Sequence, residues 1–170
     1  MGSKTLYKGS TEPAKMQEFP NGSHKRIPND SEETKLFVDH LAQKGLKLTS
    51  PRLEVLEEVL QMEKHQSIEA IYESLRRKGS RVGFSTVYRT MHLLVESGIV
   101  REQDFGMGIM RYERQYGIGH HDHLVCIECG KIIEFVRPEI ESLQDSVAAE
   151  NKFRITGHKH EIYGTCSDCH

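Results

Sequence analysis

Tryptophan is absent from this 170-residue chain, and hydrophobic residues make up only 36% of it. That composition argues against one large apolar core. No apolar run is long enough to span a bilayer, so a membrane-embedded chain is excluded. The first residues lack the apolar centre of a secretory signal, which makes the cytoplasm the expected location. A charge excess is missing too: 23 Lys and Arg stand against 25 Asp and Glu. Global charge therefore makes no case for a nucleic-acid partner. No internal repeat or low-complexity tract appears, and the length allows one domain or two small ones.

What is present is uneven. Six of the ten histidines and all four cysteines lie between His120 and His170. Average composition does not produce that clustering, and it points to metal.

Residues 1–33 contain Gly, Ser, Pro and Asn with scattered charge and no periodicity, and they read as a mobile arm. From 34 to 98 the pattern is helical. Thr34 or Ser31 can cap a first helix with Leu36, Phe37 and Leu41 inward, ended by Gly45. Ser50 before Pro51 opens a second, with Leu53, Leu56, Val59 and Leu60 as its stripe. Ser67 opens a third, carrying Ile68, Ile71, Tyr72 and Leu75, and its Arg76-Arg77-Lys78 end suits a helix C-terminus. Ser85 opens a fourth, with Val87, Met91, Leu94 and Val95 inward and Gly98 as its stop.

Ile99–Glu102 and Ile109–Glu113 then flank Gly106 and Gly108, which is hairpin chemistry. Helices followed by such a hairpin make a winged helix-turn-helix. The remainder alternates strand, strand, helix, strand. Leu124–Ile127 and Lys131–Phe135 are β-rich, Pro138 begins a helix with Ile140, Leu143 and Val147 on one face, and Phe153–Tyr163 returns as a strand bulged at Gly157. A unit of about 50 residues cannot bury a self-sufficient core, so it needs a staple, a partner chain or both. The expected class is α+β: a mobile arm (1–33), a winged-helix DNA-binding domain (34–114), a glycine hinge (115–119) and a small α/β metal-binding domain (120–170).

The cysteines form two Cys-x-x-Cys pairs, Cys126/Cys129 and Cys166/Cys169, with none left over. Four soft thiolates on two turns suit a structural Zn²⁺, which is tetrahedral and redox-inert. Disulfides are the alternative, disfavoured in a reducing compartment. The second constellation is His120-His121-Asp122-His123. Alternation on an extended segment puts His121 and His123 on one face, His120 and Asp122 on the other. Three imidazoles and a carboxylate so close repel when protonated and become ligands when neutral; the plainer alternative is a solvated polar loop. Neither face is complete alone. Glu113, Glu134, Glu141, His65, His158 and His160 are candidates for the rest, and spacing does not choose among them.

The fourth helix turns Ser85, Arg89 and His92 away from its apolar stripe, with Thr86 and Tyr88 at the flanks. Small hydroxyls suit phosphate, Tyr88 can meet thymine methyls, and Arg89 can reach a phosphate or a guanine edge. An ordinary amphipathic surface helix would look similar. The wing behind it, with Lys47, Arg52 and Arg81 nearby, shifts the reading to double-stranded DNA. Charge agrees mildly: residues 1–110 carry 16 cations and 15 anions, residues 111–170 carry 7 and 10.

Gly45-Leu46-Lys47-Leu48-Thr49-Ser50-Pro51-Arg52, Ser85-Thr86-Val87-Tyr88-Arg89 and His120-His121-Asp122-His123-Leu124-Val125-Cys126-Ile127-Glu128-Cys129-Gly130-Lys131 resemble the ferric uptake regulator (Fur) family, in order and over about 34–170. The resemblance implies a homodimeric, metal-activated DNA-binding repressor with an N-terminal winged helix and a C-terminal dimerisation domain. It implies a regulatory site of His65, Glu113, His121, His123 and Glu134, an additional site of His120, Asp122, Glu141 and His158, and structural zinc on the four cysteines. His160 matches no ligand position. Tyr88 and Arg89 match the family's DNA-contacting pair, and Lys47 its minor-groove lysine.

Peroxide-sensing relatives carry Asp where this chain has Glu134, and zinc sensors usually use a cysteine that is not spare here. Both differences favour Fe²⁺ as the regulatory ion, with Mn²⁺ or Zn²⁺ able to substitute. Peroxide-, manganese- and nickel-responsive regulators of the same family stay open, as does the pairing of dimers into tetramers. The rival from another class is a metallohydrolase or deaminase built on the His/Asp cluster. A deaminase needs His-x-Glu and Pro-Cys-x-x-Cys elements, and this chain has neither. A zinc-bound interaction module would leave the winged helix unexplained.

Overall fold

The computed structural model describes residues 31–170 except Glu63, Lys64 and Met107. The arm expected at 1–33 lies outside the described residues up to position 30, and its last positions are already helical. Helix α1 spans Glu32–Gln43. Of the two candidate caps it uses Ser31, whose hydroxyl accepts from the Thr34 amide at 3.1 Å, while Thr34 is buried in the first turn.

Helix α2 spans Ser50–Leu60. Thr49, not the expected Ser50, stands at its N-cap, without a side-chain bond. Pro51 removes one of the orphan donors that a capping side chain would serve. Helix α3 (Ile68–Arg77) is capped by Ser67 as expected. Helix α4 spans Phe84–Glu96 and starts one residue before the expected Ser85. Its N-cap is Gly83, whose carbonyl accepts from the amides of Thr86 and Val87. Strands β1 (Val100–Asp104) and β2 (Met110–Arg114) form the antiparallel wing.

The periodic apolar positions meet in one core, including Phe37, Leu41, Val55, Leu56, Ile71, Val87, Met91 and Leu94, closed at the wing by Val100 and Tyr112. Beyond Arg114 the situation reverses. Val125 and Cys126 are the buried apolar side chains there among the described residues.

The C-terminal sheet has β3 (Asp122–Cys126) in the centre. Strand β4 (Ile132–Phe135) pairs antiparallel with it, and β5 (Glu161–Gly164) pairs parallel. Helix α5 (Pro138–Glu150) is the crossover between β4 and β5. The expected long strand Phe153–Tyr163 is corrected to Glu161–Gly164. Residues 153–159 have no ladder partner in a single chain, and an extended segment without a ladder is not a strand. The face of α5 bearing Leu143 and Val147 is open, at 67% and 58% exposure. The intervening linker is tied down: Arg114 donates to the Leu60 carbonyl at 2.9 Å, and the Tyr116 hydroxyl donates to Glu32 at 3.1 Å.

Candidate metal centres

Three groups of metal-type donors converge, each with its ligand atoms within 4.8 Å of one another.

The first is set by local pairing. Gln66 and Tyr112 exchange two backbone hydrogen bonds, at 3.0 and 2.8 Å. This bridge sets the preceding His65 beside the following Glu113. From the other half, β3 supplies His123, and the residue just before it supplies His121. The four form one cluster. The register places Glu134 of β4 opposite His123, and its Oε1 lies 3.2 Å from His65 Nδ1. Glu134 thus stands at the rim, touching one member of the cluster.

The cluster is held by ion pairs. His121 Nε2 lies 2.8 Å from Glu113 Oε2, and His65 Nε2 lies 3.2 Å from the same oxygen. Burial disfavours charge on His65, yet the carboxylates of Glu113 and Glu134 outweigh it and raise the ring to about 9. Burial likewise opposes the Glu113 charge, but His121 and His65 hold that carboxyl down at about 2. His123 takes the opposite course: burial first, then the neighbouring His65 and His121 charges, lower it to about 4. His123 is therefore a neutral donor near pH 7. Its Nε2 is buried without a hydrogen-bond partner among the described residues. A buried nitrogen left unsatisfied within this converging donor set fits a divalent cation.

The second group sits on the other face of the same segment, as the alternation requires. Asp122 is almost fully buried, and its Oδ1 lies 3.1 Å from His120 Nε2. Glu141 of α5 lies 3.3 Å from His120 and 3.5 Å from His158. His120 and His158 approach to 2.8 Å, nitrogen to nitrogen. Glu141 Oε1, the atom that makes both contacts, is buried. This donor set also fits a divalent ion. His160 sits next to it, 3.3 Å from Asp122 Oδ2.

The third group is the four cysteines. The parallel register pairs Cys126 with Gly164, which carries Cys166 and Cys169 to the turn after β3. Cys166 Sγ lies 3.7 Å from both Cys129 Sγ and Cys169 Sγ. A tetrahedral zinc with bonds of about 2.3 Å has sulfur–sulfur edges of about 3.8 Å. The amides of Cys129 and Cys166 lower the Cys126 thiol to about 6, while Cys129 and Cys166 push Cys169 up to about 12. Four adjacent thiolates need a cation to coexist, and the set fits zinc.

On α4, Ser85, Tyr88 and Arg89 are exposed and Thr86 is half-buried. Tyr88 is 47% exposed although aromatic, and its ring packs on His92 at 4.5 Å. Lys47 is exposed. Arg52 spends its guanidinium locally, donating to the Lys47 carbonyl at 2.5 Å, so it shapes the loop that presents Lys47. The sequence reading missed Phe105. It is buried in the wing turn and sets its ring edge-on to His65 at 5.4 Å and His123 at 5.2 Å. A lone aromatic between glycine-rich turns carries no periodic signal.

The family model of the ferric uptake regulator family matches residues 43–163. A ferric uptake regulation protein of Neisseria meningitidis is 42% identical over 133 residues, covering 78% of this chain and 92% of that protein. The Helicobacter pylori ferric uptake regulator, described as having three functional metal binding sites, superposes with a TM-score of 0.75 at 30% identity, covering 85% of this chain and 96% of that one. The Francisella tularensis regulator, solved with iron, gives a TM-score of 0.67 at 32% identity, covering 74% and 95%. Sequence motifs, architecture and relatives agree: this chain belongs to the ferric uptake regulator family.

Proposed function

We propose that this chain is a metal-dependent transcriptional repressor, and not an enzyme. It acts in the cytoplasm as a homodimer on a palindromic double-stranded operator. The carrying observation is the convergence of His65 and Glu113 from the winged-helix half with His121 and His123 from the C-terminal half. A divalent ion held there, Fe²⁺ by analogy with the iron-bound relative, would bond these donors directly. His65, Glu113, His121 and His123, with Glu134 at the rim, hold the winged helix (34–114) at one angle to the rest (120–170) across the linker at 115–119. That angle sets the spacing of two α4 helices and their fit to two half-sites. Driving a population from 1:99 to 99:1 takes about 5.5 kcal/mol of differential binding, within reach of several inner-shell bonds.

Tyr88 and Arg89 read the groove, Ser85 and Thr86 sit at the phosphates, and Lys47 reaches the neighbouring groove from the loop that Arg52 braces. Zinc on Cys126, Cys129, Cys166 and Cys169 joins β3 to the end of β5 and stabilises a unit with almost no core of its own. His120, Asp122, Glu141 and His158 form an additional site. Three clusters here parallel the three functional sites named for the Helicobacter pylori relative. The groove of 590 Å³ between α5 and the segment Phe153–His160, with Leu143, Val147 and Phe153 open to solvent, is the proposed homodimer surface.

The test is operator binding by mobility shift against buffered Fe²⁺, Mn²⁺, Zn²⁺ and Ni²⁺, with and without peroxide. A metal-dependent shift is expected, strongest with Fe²⁺ or its Mn²⁺ substitute. His121→Ala/Glu134→Ala is expected to lose that dependence. No shift with any divalent ion would reject the repressor reading.

A further inference from the structure

His160 is left over by the family's ligand pattern, and the fold gives it a defined place. The parallel ladder between β3 and β5 pairs His123 with Glu161. His160 therefore comes alongside Asp122. Its main-chain carbonyl accepts from the His123 amide at 3.2 Å. Its ring turns Nδ1 to Asp122 Oδ2 at 3.3 Å and lies edge-on to Phe135, 5.9 Å between centroids. Phe135 is itself the register partner of Asp122 on the other side.

Asp122 is 1% exposed, so neither carboxylate oxygen can rely on water. The two oxygens are divided. Oδ1 faces His120 Nε2 at 3.1 Å, inside the additional cluster. Oδ2 faces away from that nitrogen, toward His160. A carboxylate so held offers a metal one oxygen in a fixed direction, because its rotation would break the outer hydrogen bond. His160 is not a member of the converging donor group itself.

We propose that His160 is a positioning residue for the additional metal site: its ring N–H holds Asp122 Oδ2 and thereby aims Oδ1 at a divalent cation bound by His120, Asp122, Glu141 and His158. This rests on the reading of that cluster as a metal site. Partners of this outer kind typically contribute about 10- to 100-fold in metal affinity. Main-chain and side-chain contacts from one residue also tie Asp122, on one face of the segment, to His123 on the other.

The test uses the full-length zinc-loaded dimer in a His121→Ala background, so that the sensor cluster does not compete. Co²⁺ is titrated against a competing chelator and read by its d–d absorption. His160→Leu keeps an apolar contact for Phe135 and removes the donor. It is expected to weaken Co²⁺ binding by about 10- to 100-fold. His160→Asn, whose amide can donate from nearly the same place, is expected to recover most of the affinity with unchanged band positions. Far-UV circular dichroism and light scattering check that both remain folded dimers. Parent-like affinity in His160→Leu would overturn the proposal. So would His160→Asn failing as badly with shifted bands, since the ring would then be a direct ligand. If the zinc-loaded parent takes up no Co²⁺, the additional site itself is wrong. If His120→Ala/His158→Ala abolishes uptake while His160→Leu does not, only the role of His160 falls.

Discussion

His121 Nε2 and Glu113 Oε2 lie 2.8 Å apart, joining the end of the wing to the first residues of the C-terminal sheet across the linker. This contact, with His65 on the same carboxylate, gathers two imidazoles around Glu113. The Glu113 contribution, with its carboxyl at about 2, is present above its ordinary pKa of 4.5 and lost as pH falls through about 2. The His65 contribution, with its ring at about 9, is fully present below 6.5 and lost as pH rises through about 9.

Metal must displace those protons. Binding at neutral pH is therefore expected to release about one proton per ion from His65, with affinity rising toward pH 9. Calorimetry in buffers of different ionisation enthalpy measures this directly. No buffer dependence would contradict the charged His65.

Phe105 closes the same cluster from the wing, at 2% exposure and in edge contact with His65 and His123. Phe105→Ala should admit water and leave the two rings without a wall. An unfolding penalty on the order of 3 kcal/mol is expected. Metal release in a chelator chase should quicken at least several-fold, with Phe105→Leu in between. An unchanged release rate in Phe105→Ala would deny it a role at the site.

The parts legible in the sequence were those set by local rules. Ser31 and Ser67 cap as expected, because a hydroxyl reaching an amide three residues on is a local event. The separation of His121 and His123 from His120 and Asp122 followed from strand alternation alone, and it survives in two distinct clusters. The start of α4 was misplaced because Gly83 caps with its backbone and leaves no side-chain signature. The extent of β5 was overstated because pairing is a property of neighbours. Residues 153–159 have no ladder partner in one chain. Phe105 and the contact of His160 with Asp122 depend on long-range register, which spacing along one segment does not encode.

Leu143 and Val147, at 67% and 58% exposure, lie on the surface proposed to join two copies of the chain. A charge placed there should split the dimer. Val147→Glu is expected to convert the dimer to monomer at micromolar concentration, read by sedimentation. Zinc on the four cysteines should be retained, because Cys126, Cys129, Cys166 and Cys169 all come from one chain. A monomer can present only one α4 helix, so operator affinity should collapse even with the sensor cluster filled. A Val147→Glu chain that stays dimeric would place the interface elsewhere.

On the proposed DNA face, Lys47 and Arg89 are expected to separate positioning from reading. Lys47 is exposed on a loop whose carbonyl is pinned by Arg52, so its ammonium meets phosphate or groove as a point charge. Lys47→Ala should weaken all sequences alike and reduce the salt slope by about 0.9 for each phosphate it no longer neutralises. Arg89 projects from α4 beside Tyr88, opposite the buried Val87 and Met91. Arg89→Ala should cost roughly 10- to 100-fold on the operator and less on random DNA, so the specificity ratio falls. Metal affinity should be unchanged in both, since neither residue belongs to a donor cluster. Fluorescence anisotropy over a salt series, with operator and scrambled duplexes, measures both quantities. An Arg89→Ala protein that keeps its specificity ratio would move base reading off this face of α4.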